Sequence, residues 1–244
     1  MRIVAKTDVG VIRDNNQDCY TTGELEGGAC FGIVCDGMGG AAEGAFASNE
    51  AVRLIRERII SGYFDGMSDI SLKSLLFSAI EYANRQIHNL SLSEKKYEGM
   101  GTTVVAAIVN DRFLYVANAG DSRAYQMNTE QNAIVQLTKD HSVVQKMIDD
   151  GEITPDEAVN HPKKNLITRA VGAEPDIRLD FCQEEYDHGD ILLLCTDGLT
   201  NYIKKEEILQ AAQSHPFYDF MGTLVDKAKN NGGGDNITIV AISM

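Results

Sequence analysis

The sequence predicts an α+β fold of mostly antiparallel strands, in which two sheets stack on each other and helices lie outside them. β-rich segments follow one another through short turns that are typical of hairpins. The amphipathic helices come in separate pairs, whereas a doubly wound parallel fold alternates single helices with strands. The predicted strands are numerous enough for two sheets, and each helix pair needs a sheet face to cover.

The first part of the chain supplies three strands and then two helices. Strands are predicted at residues 2–7, 18–22 and 29–35, and a helix at 43–60. A second helix begins after an N-cap candidate, Ser71, since serine accepts a hydrogen bond from the first turn of a helix. Its apolar residues recur at helical spacing on one face, namely Leu72, Leu75, Leu76, Ala79, Ile80, Ala83, Ile87 and Leu90.

The remainder of the chain is a meander followed by mixed elements. Asn110-Asp-Arg112 separates two β-rich runs as a hairpin turn would. The predicted strands are 102–109, 113–119, 123–127, 133–137, 178–186, 190–196 and 236–243. The predicted helices are 142–150, 156–161, 205–213 and 217–230.

Composition restricts the classes of protein that the chain can belong to. With 43 % hydrophobic and 24 % charged residues among 244, it can bury a core, and no repeat or long linker divides it. We therefore predict one domain, residues 1–244. The net charge of −14 argues against nucleic acid and anionic membranes as partners.

Targeting and cysteine patterns favour a cytoplasmic protein. The N-terminus lacks the basic and apolar regions of a signal peptide, and no segment approaches the roughly 20 apolar residues of a membrane span. Five cysteines without paired spacing argue against a disulfide framework or a zinc site. Cys30, Cys35 and Cys195 lie in apolar runs and are predicted to be buried thiols.

Three aspartates stand where apolar strands meet glycine- or asparagine-containing turns: Asp36, Asp197 and Asp235. An unpaired carboxylate is costly to bury, but at a strand end it can bind a cation. Carboxylate oxygens suit Mg²⁺ or Mn²⁺. The pattern predicts a carboxylate metal centre, although three unrelated turns would give the same letters.

Two further residues are weaker candidates on their own. Arg13 could bind a phosphoryl group with two hydrogen bonds. Asp121, in the Gly120-Asp-Ser-Arg123 turn, is explained equally well as a turn residue or as a ligand.

A calcium-binding loop at residues 14–25 is excluded, because the positions that need a glycine and a final glutamate hold Cys19 and Leu25.

The histidines show no metal-ligand spacing. His88 is expected to be solvated on a helix, and His141 to cap the helix that follows it. The sequence also lacks a cysteine-nucleophile phosphatase loop, a G-x-S-x-G elbow and a Walker A lysine. With no nucleophile for covalent catalysis, water activated by metal is the remaining chemistry.

Eight blocks, in order along the whole chain, resemble the metal-dependent Ser/Thr protein phosphatases of the PPM (type 2C) family in their bacterial form. The blocks are Thr7-Asp-Val-Gly10 with Arg13 and Asn16-Gln-Asp18, Cys35-Asp-Gly-Met-Gly-Gly40, Gly99-Met-Gly-Thr-Thr103, Gly120-Asp-Ser-Arg123, Leu137-Thr-Lys-Asp-His-Ser142, Thr168-Arg-Ala-Val-Gly172, Thr196-Asp-Gly-Leu199 and Gly234-Asp-Asn-Ile-Thr238. The resemblance implies a four-layer α-β-β-α sandwich with a helix pair on each outer side.

The resemblance also implies two Mn²⁺ or Mg²⁺ ions between the sheets and assigns a role to each site residue. Asp36 would bridge the ions, and the Gly37 carbonyl would bind one of them. Asp197 and Asp235 would bind the other, and Asp18 would order water. The remaining implied roles are phosphate binding by Arg13, a weaker third metal at Asp121, and a mobile flap at 151–164.

The implied activity is that of a phosphoprotein phosphatase acting on phosphoserine and phosphothreonine. A metal-bridging hydroxide would attack phosphorus without a phosphoenzyme, and the enzyme would oppose a bacterial Ser/Thr kinase. We expect a monomer whose partners are phosphorylated proteins. Two other functions stay open, a non-catalytic regulatory binding module of the same fold and a phosphatase of small phosphomonoesters.

Five positions depart from the pattern of the family, and two of them are Ala41 and Ala45, where bacterial members often have the histidine of Gly-Gly-His and the glutamate of Gly-Glu. Met38 stands where eukaryotic members have a histidine proposed to protonate the leaving group. Gln17 replaces an acidic residue of many relatives, and Asn201 stands where some supply an acidic ligand for the third metal. These departures concern the general acid and the third metal, and they leave Asp36, Asp197 and Asp235 intact.

Overall fold

A computed structural model describes residues 1–244, with the side chains of residues 41 and 42 left out of the description. The strands are β1 Arg2–Asp8, β2 Asp18–Glu24, β3 Cys30–Met38, β4 Gly101–Thr102, β5 Val104–Val109, β6 Phe113–Ala119, β7 Arg123–Asn128, β8 Ala133–Gln136, β9 Asp180–Glu185, β10 Asp190–Cys195 and β11 Ile237–Ser243. The helices are α1 Ala41–Gly62, α2 Asp69–Ser93, α3 Val143–Asp149, α4 Pro155–Val159, α5 Asp197–Thr200, α6 Lys205–Ser214 and α7 Phe220–Asn230.

The strands form two antiparallel sheets. Sheet 1 has the order β1-β11-β10-β7-β8, and sheet 2 has the order β2-β3-β5-β6-β9, with β4 beside the end of β3. β1 and β11 pair along their whole length, from Arg2 opposite Ser243 to Asp8 opposite Ile237. The predicted hairpin is present: β5 and β6 pair, and the Asn110 side chain accepts hydrogen bonds from the turn at 3.0 and 2.7 Å.

Three apolar clusters join the layers. Residues such as Val34, Val105 and Leu194 fill the space between the sheets. The apolar faces of α1 and α2 bury the outer side of sheet 2, and those of α6 and α7 bury the outer side of sheet 1. The predicted four-layer sandwich with outer helix pairs is therefore confirmed.

Some element boundaries differ from the prediction. The N-cap of α2 is Ser68 and not Ser71: the Ser68 hydroxyl accepts a hydrogen bond from the Ser71 amide at 3.3 Å. The first turn carries the exposed Ile70, outside the apolar stripe, so periodicity placed the start too late. The predicted strand 102–109 breaks at Thr103, because the Thr103 amide donates to the Asp36 carbonyl at 2.9 Å.

Other differences arise from short turns. α7 starts at Phe220 instead of 217, since a turn after Pro216 places the Asp219 amide against the Pro216 carbonyl at 2.9 Å. Helix α5 and two 3₁₀ turns, Glu26–Gly28 and Lys95–Tyr97, were not predicted. All three segments are too short for the hydrophobic period of a helix to be visible in the sequence.

The structure also shows the environment of the cysteines and the hydrophobicity of the helices. Cys30, Cys35 and Cys195 are buried free thiols, as predicted. Within the described residues, no helix is both long enough and apolar enough to span a membrane.

Candidate metal centre

The two sheets bring the three strand-end aspartates to one cavity. Asp36 lies near the end of β3, which continues to Met38, and is opposite Asp18 of β2. Asp197 begins α5, with only Thr196 between it and the end of β10, and Asp235 lies just before β11, the neighbour of β10 in sheet 1. Antiparallel neighbours place the end of one strand beside the start of the next. Residues far apart in sequence therefore meet at one edge of the sandwich.

The cavity has a volume of about 240 Å³. Six of the seven predicted site residues line it, namely Arg13, Asp36, Gly37, Asp121, Asp197 and Asp235. The seventh, Asp18, is 8 % exposed, and its carboxylate accepts a hydrogen bond from the Thr196 hydroxyl at 2.9 Å. The spatial grouping that the sequence predicts is thus present in the structure.

Two glycines allow the backbone to approach closely at this site. A Cβ atom on Gly37 would overlap the carbonyl oxygen of Gly44 in α1, and one on Gly198 would overlap the carbonyl oxygen of Asn236. Any other residue would push these segments apart. The glycines that follow Asp36 and Asp197 are therefore required by packing.

Asn236 anchors the site, and sequence reasoning missed this role. Its side-chain oxygen accepts from the Gln17 amide at 2.8 Å, and its side-chain nitrogen donates to the carbonyls of Val9 and Asn15 at 2.9 and 3.0 Å. These bonds tie the loop that carries Arg13 to the turn that carries Asp235. The Asp-Asn pair was visible in the sequence, but nothing there showed the partners.

The carboxylates of the cavity interact unfavourably with one another. Burial raises the pKa of Asp36 well above its usual range, and the charges of Asp18, Asp197 and Asp121 raise it further. Burial is also the largest cause for Asp18, whose pKa rises to about 7, for Asp121, to about 8, and for Asp197, to about 6. Without a compensating cation, this site disfavours its own charged state.

Two buried carboxylate oxygens, Asp18 Oδ1 and Asp197 Oδ1, have no hydrogen-bond partner among the described residues. Such atoms are costly unless they bind a cation, and an all-oxygen donor set suits Mg²⁺ or Mn²⁺. The residues present therefore fit hard divalent cations.

Two of the carboxylates bind protein partners in the structure. In the part of the chain that is described, no three His, Cys, Asp or Glu side chains stand close enough to hold one ion. Asp235 accepts from Arg13 Nη2 at 2.9 Å, and Asp197 accepts from Asn201 Nδ2 at 2.9 Å. Both carboxylates thus have a positive or neutral partner, which lowers the cost of placing like charges close together.

The structure also settles the surroundings of Asp121. Its side chain is 8 % exposed and faces the cavity, which an ordinary surface turn would not require. The Gly120 amide donates to Nδ1 of His141 at 3.1 Å, and Nε2 of His141 donates to Asp180 at 3.1 Å. His141 therefore supports the Asp121 turn, and burial lowers its pKa.

Two histidine predictions were wrong. His141 does not cap the following helix; the cap is Ser142, whose hydroxyl accepts from the Gln145 amide at 3.1 Å. His88 is half-buried and not solvated, with Nδ1 at 3.1 Å from the Gly172 carbonyl. Both side chains point inward to backbone partners that lie far away in sequence.

The stability of the metal-free protein is expected to fall as pH rises from about 5 to about 8. The folded state binds more protons than the unfolded state in this window, because the pKa values of Asp18, Asp121 and Asp197 are raised to about 7, 8 and 6. The free energy of unfolding therefore decreases with pH. Mn²⁺ competes with these protons, so it should raise Tm more at pH 8 than at pH 5.5.

Thermal unfolding of chelator-treated protein across this pH range measures both effects. A metal-free Tm that rises with pH would contradict the raised carboxylate pKa values. An equal shift with Mn²⁺ at both pH values would show that the ion binds away from these carboxylates.

Comparison with known proteins identifies the family of this chain. The family model described as protein phosphatase 2C matches residues 13–236. The protein phosphatase PhpP of Streptococcus pneumoniae is 39 % identical over 100 % of this chain and 98 % of its own length. The S. agalactiae serine/threonine phosphatase has a similar structure, with a TM-score of 0.92 at 32 % identity, covering 100 % of this chain and 99 % of that one.

A further similar structure is the catalytic domain of the serine threonine protein phosphatase PstP in complex with two manganese ions. Its TM-score is 0.84 at 31 % identity, covering 98 % of this chain and 96 % of that chain. The family match, the near-complete coverage of the relatives and the carboxylate cavity between the sheets lead to one assignment. This chain belongs to the protein phosphatase 2C family.

Proposed function

We propose that this chain is a divalent-metal-dependent phosphoprotein phosphatase that transfers the phosphoryl group of phosphoserine or phosphothreonine directly to water. The observation that carries the proposal is the cavity in which an arginine stands beside four aspartates of separate segments: Arg13 with Asp36, Asp121, Asp197 and Asp235. Similarity to proteins named Ser/Thr phosphatases supports it.

The aspartates would hold the cations. Asp36 and the Gly37 carbonyl end one strand of sheet 2, and Asp197 and Asp235 lie across the cavity on sheet 1. Two Mn²⁺ or Mg²⁺ ions would supply hydroxide from water near neutral pH and offset phosphoryl charge. The manganese complex of PstP supports two ions. Asp121 would hold a weaker third ion.

Arg13 would bind the phosphoryl group. Its guanidinium donates to Asp235 in the structure, and its side chain is 47 % exposed, so it can turn to a substrate anion. With Asp235 holding a cation, the guanidinium would be free to form two hydrogen bonds with phosphoryl oxygens. Arg13 then orients phosphorus and stabilises the charge of the transition state.

The cavity favours attack by water over a covalent route through a side-chain nucleophile. Its described lining contains no cysteine, serine or histidine. The one hydroxyl, on Thr103, is occupied by the Asp36 amide at 2.9 Å and the Ser122 hydroxyl at 2.7 Å. Asp18 would order water, and with Met38 at the cavity wall, solvent would protonate the leaving oxygen.

The substrates would be phosphorylated proteins, and the enzyme would oppose a bacterial Ser/Thr kinase as a cytoplasmic monomer. The complete carboxylate set argues against a non-catalytic module, which has no use for mutually repelling buried charges. A phosphatase of small phosphomonoesters remains the second candidate, because the cavity of about 240 Å³ has room for a small ester.

The test assays chelator-treated protein on p-nitrophenyl phosphate and a phosphothreonine peptide, with and without Mn²⁺. We expect both hydrolyses only with metal, and no phosphorylated protein after acid quench of the reaction. Metal-independent turnover, or a trapped phosphoenzyme, would overturn the proposed mechanism. Fast turnover of a metabolite beside very slow turnover of phosphopeptides would favour the small-substrate alternative.

A further inference from the structure

A second cleft adjoins the catalytic cavity and is larger, with a volume of about 390 Å³. Asp121 and Asp197 line both spaces, so the two are adjacent. The volume lies in the range of roughly 300–1,000 Å³ that is typical of ligand sites. A substrate polypeptide that extends from the catalytic cavity on this side would therefore lie in the cleft.

The cleft runs between two helical walls. One wall is the predicted flap with the helix before it, where Ile148 of α3 and Val159 of α4 face the cleft. The other wall begins at α5 and includes Ile203 and the start of α6. Apolar side chains on both walls would contact the main chain of a bound polypeptide. The polar groups at the rim would then select among its side chains.

The rim carries unpaired positive charge. Lys164 on the flap side and Lys204 and Lys205 on the α6 side line the cleft, and all three are exposed. Within the described residues, none of them forms a salt bridge, whereas Lys139, Lys227 and Lys229 do. Three free ammonium groups on one cleft are unusual for a chain with a net charge of −14.

Negative groups on the walls do not cancel this charge. Asp140 is paired with Arg123 through two hydrogen bonds of 2.8 and 2.6 Å. Asp121 and Asp197 belong to the metal centre. Glu206 is the one remaining carboxylate among the described lining residues, opposed to three lysines.

We propose that this cleft binds the polypeptide next to the phosphorylated residue and selects substrates with acidic residues there. This inference rests on the proposed function of the catalytic cavity. Carboxylates of the substrate would pair with Lys164 from one wall and with Lys204 and Lys205 from the other. The cleft thus adds specificity for sequence, while the catalytic cavity reads only the phosphorylated side chain.

The experiment compares kcat/KM for two phosphothreonine peptides of equal length, flanked by glutamates or by glutamines, and for p-nitrophenyl phosphate. We expect the acidic peptide to be preferred about tenfold, since exposed pairs contribute about two- to fivefold each. The triple variant Lys164→Ala, Lys204→Ala, Lys205→Ala should lose this preference and keep its activity on p-nitrophenyl phosphate. Lys6→Ala, an exposed lysine on β1, is the matched control and should keep the preference.

Two further measurements identify the interaction as electrostatic. Raising the salt concentration to about 0.5 M should reduce the preference, because screening weakens exposed charge pairs. Replacing the three lysines by glutamates should invert the preference towards a lysine-flanked peptide. Loss of p-nitrophenyl phosphate turnover in the triple variant would assign the lysines to the catalytic site and overturn the proposal.

The failure of this proposal is distinguishable from the failure of the proposed function. Equal kcat/KM for the two peptides, or an acidic preference that the triple variant keeps, would overturn the role of the cleft while the phosphatase activity stands. No hydrolysis of any substrate by the unmodified, Mn²⁺-loaded protein would overturn the phosphatase activity itself.

Discussion

Asp36→Asn is expected to lower kcat/KM for a phosphothreonine peptide by about 10³-fold or more in the presence of Mn²⁺. Metal ions supply several kcal/mol of transition-state stabilisation, and about 1.36 kcal/mol corresponds to a factor of ten in rate. Asparagine keeps the size of the side chain and one oxygen, but it lacks the negative charge that would bridge the two proposed cations. Steady-state kinetics at several Mn²⁺ concentrations would measure the loss.

This variant should nevertheless fold. Because burial and neighbouring carboxylates already raise the pKa of Asp36 well above its usual range, the neutral amide resembles its preferred state without metal. We expect the metal-free Tm to be unchanged or higher, and the increase in Tm with Mn²⁺ to shrink. Asp226→Asn, on the exposed side of α7, is the control and should behave as the unmodified protein. Full metal-dependent activity of Asp36→Asn would show that Asp36 is not the bridging ligand.

Arg13→Ala is expected to lower kcat/KM by about 10²–10³-fold, the usual effect of removing one group that stabilises charge in the transition state. Arg13→Lys should recover little of this loss, because an ammonium group cannot form two parallel hydrogen bonds with a phosphoryl group. Both p-nitrophenyl phosphate and phosphopeptides should be affected equally, since Arg13 would contact the phosphoryl group that they share.

The metal affinity of the Arg13 variants separates substrate binding from a structural effect. In the structure Arg13 Nη2 donates to Asp235 at 2.9 Å, so removing Arg13 would leave that carboxylate free for a cation. The apparent affinity for Mn²⁺, measured by calorimetry, should stay equal or increase. Weaker Mn²⁺ binding together with an unchanged KM would assign Arg13 to the metal centre instead of the substrate.

Much of the architecture could be predicted because the hydrophobic pattern of a strand or a helix is contained within its own short segment of sequence. The apolar runs that end in Asp36 and Asp197 indicate both a buried strand and an unusual charge at its end. A capping hydroxyl, in contrast, acts over only three residues, and Ser68 and Ser71 offer the same chemistry at nearly the same place. The start of α2 was therefore set by a contact at 3.3 Å that no periodicity encodes.

The hydrogen bonds that hold the site residues in place could not be predicted, because the donor and the acceptor of each bond lie far apart in the sequence. The hydrogen bond from Thr196 to Asp18 spans 178 residues, and the bond from Gln17 to Asn236 spans 219. Threonine and asparagine have ordinary roles in turns, so their letters alone point to local bonds. The lysines of the second cleft come from two separated segments, and only the fold places them on facing walls.

The pairing of β1 with β11 has a consequence for the time at which the protein becomes active. Arg13 and Asp235 are 222 residues apart in sequence, and the pairing of β1 with β11 brings them together. Contacts of such long range are slow to form, since much loop entropy is lost before they contribute stability. A partly folded chain can contain finished hairpins and helices and still have no metal centre. We therefore expect catalytic activity to appear only when the two ends of the chain have come together, later than most of the secondary structure.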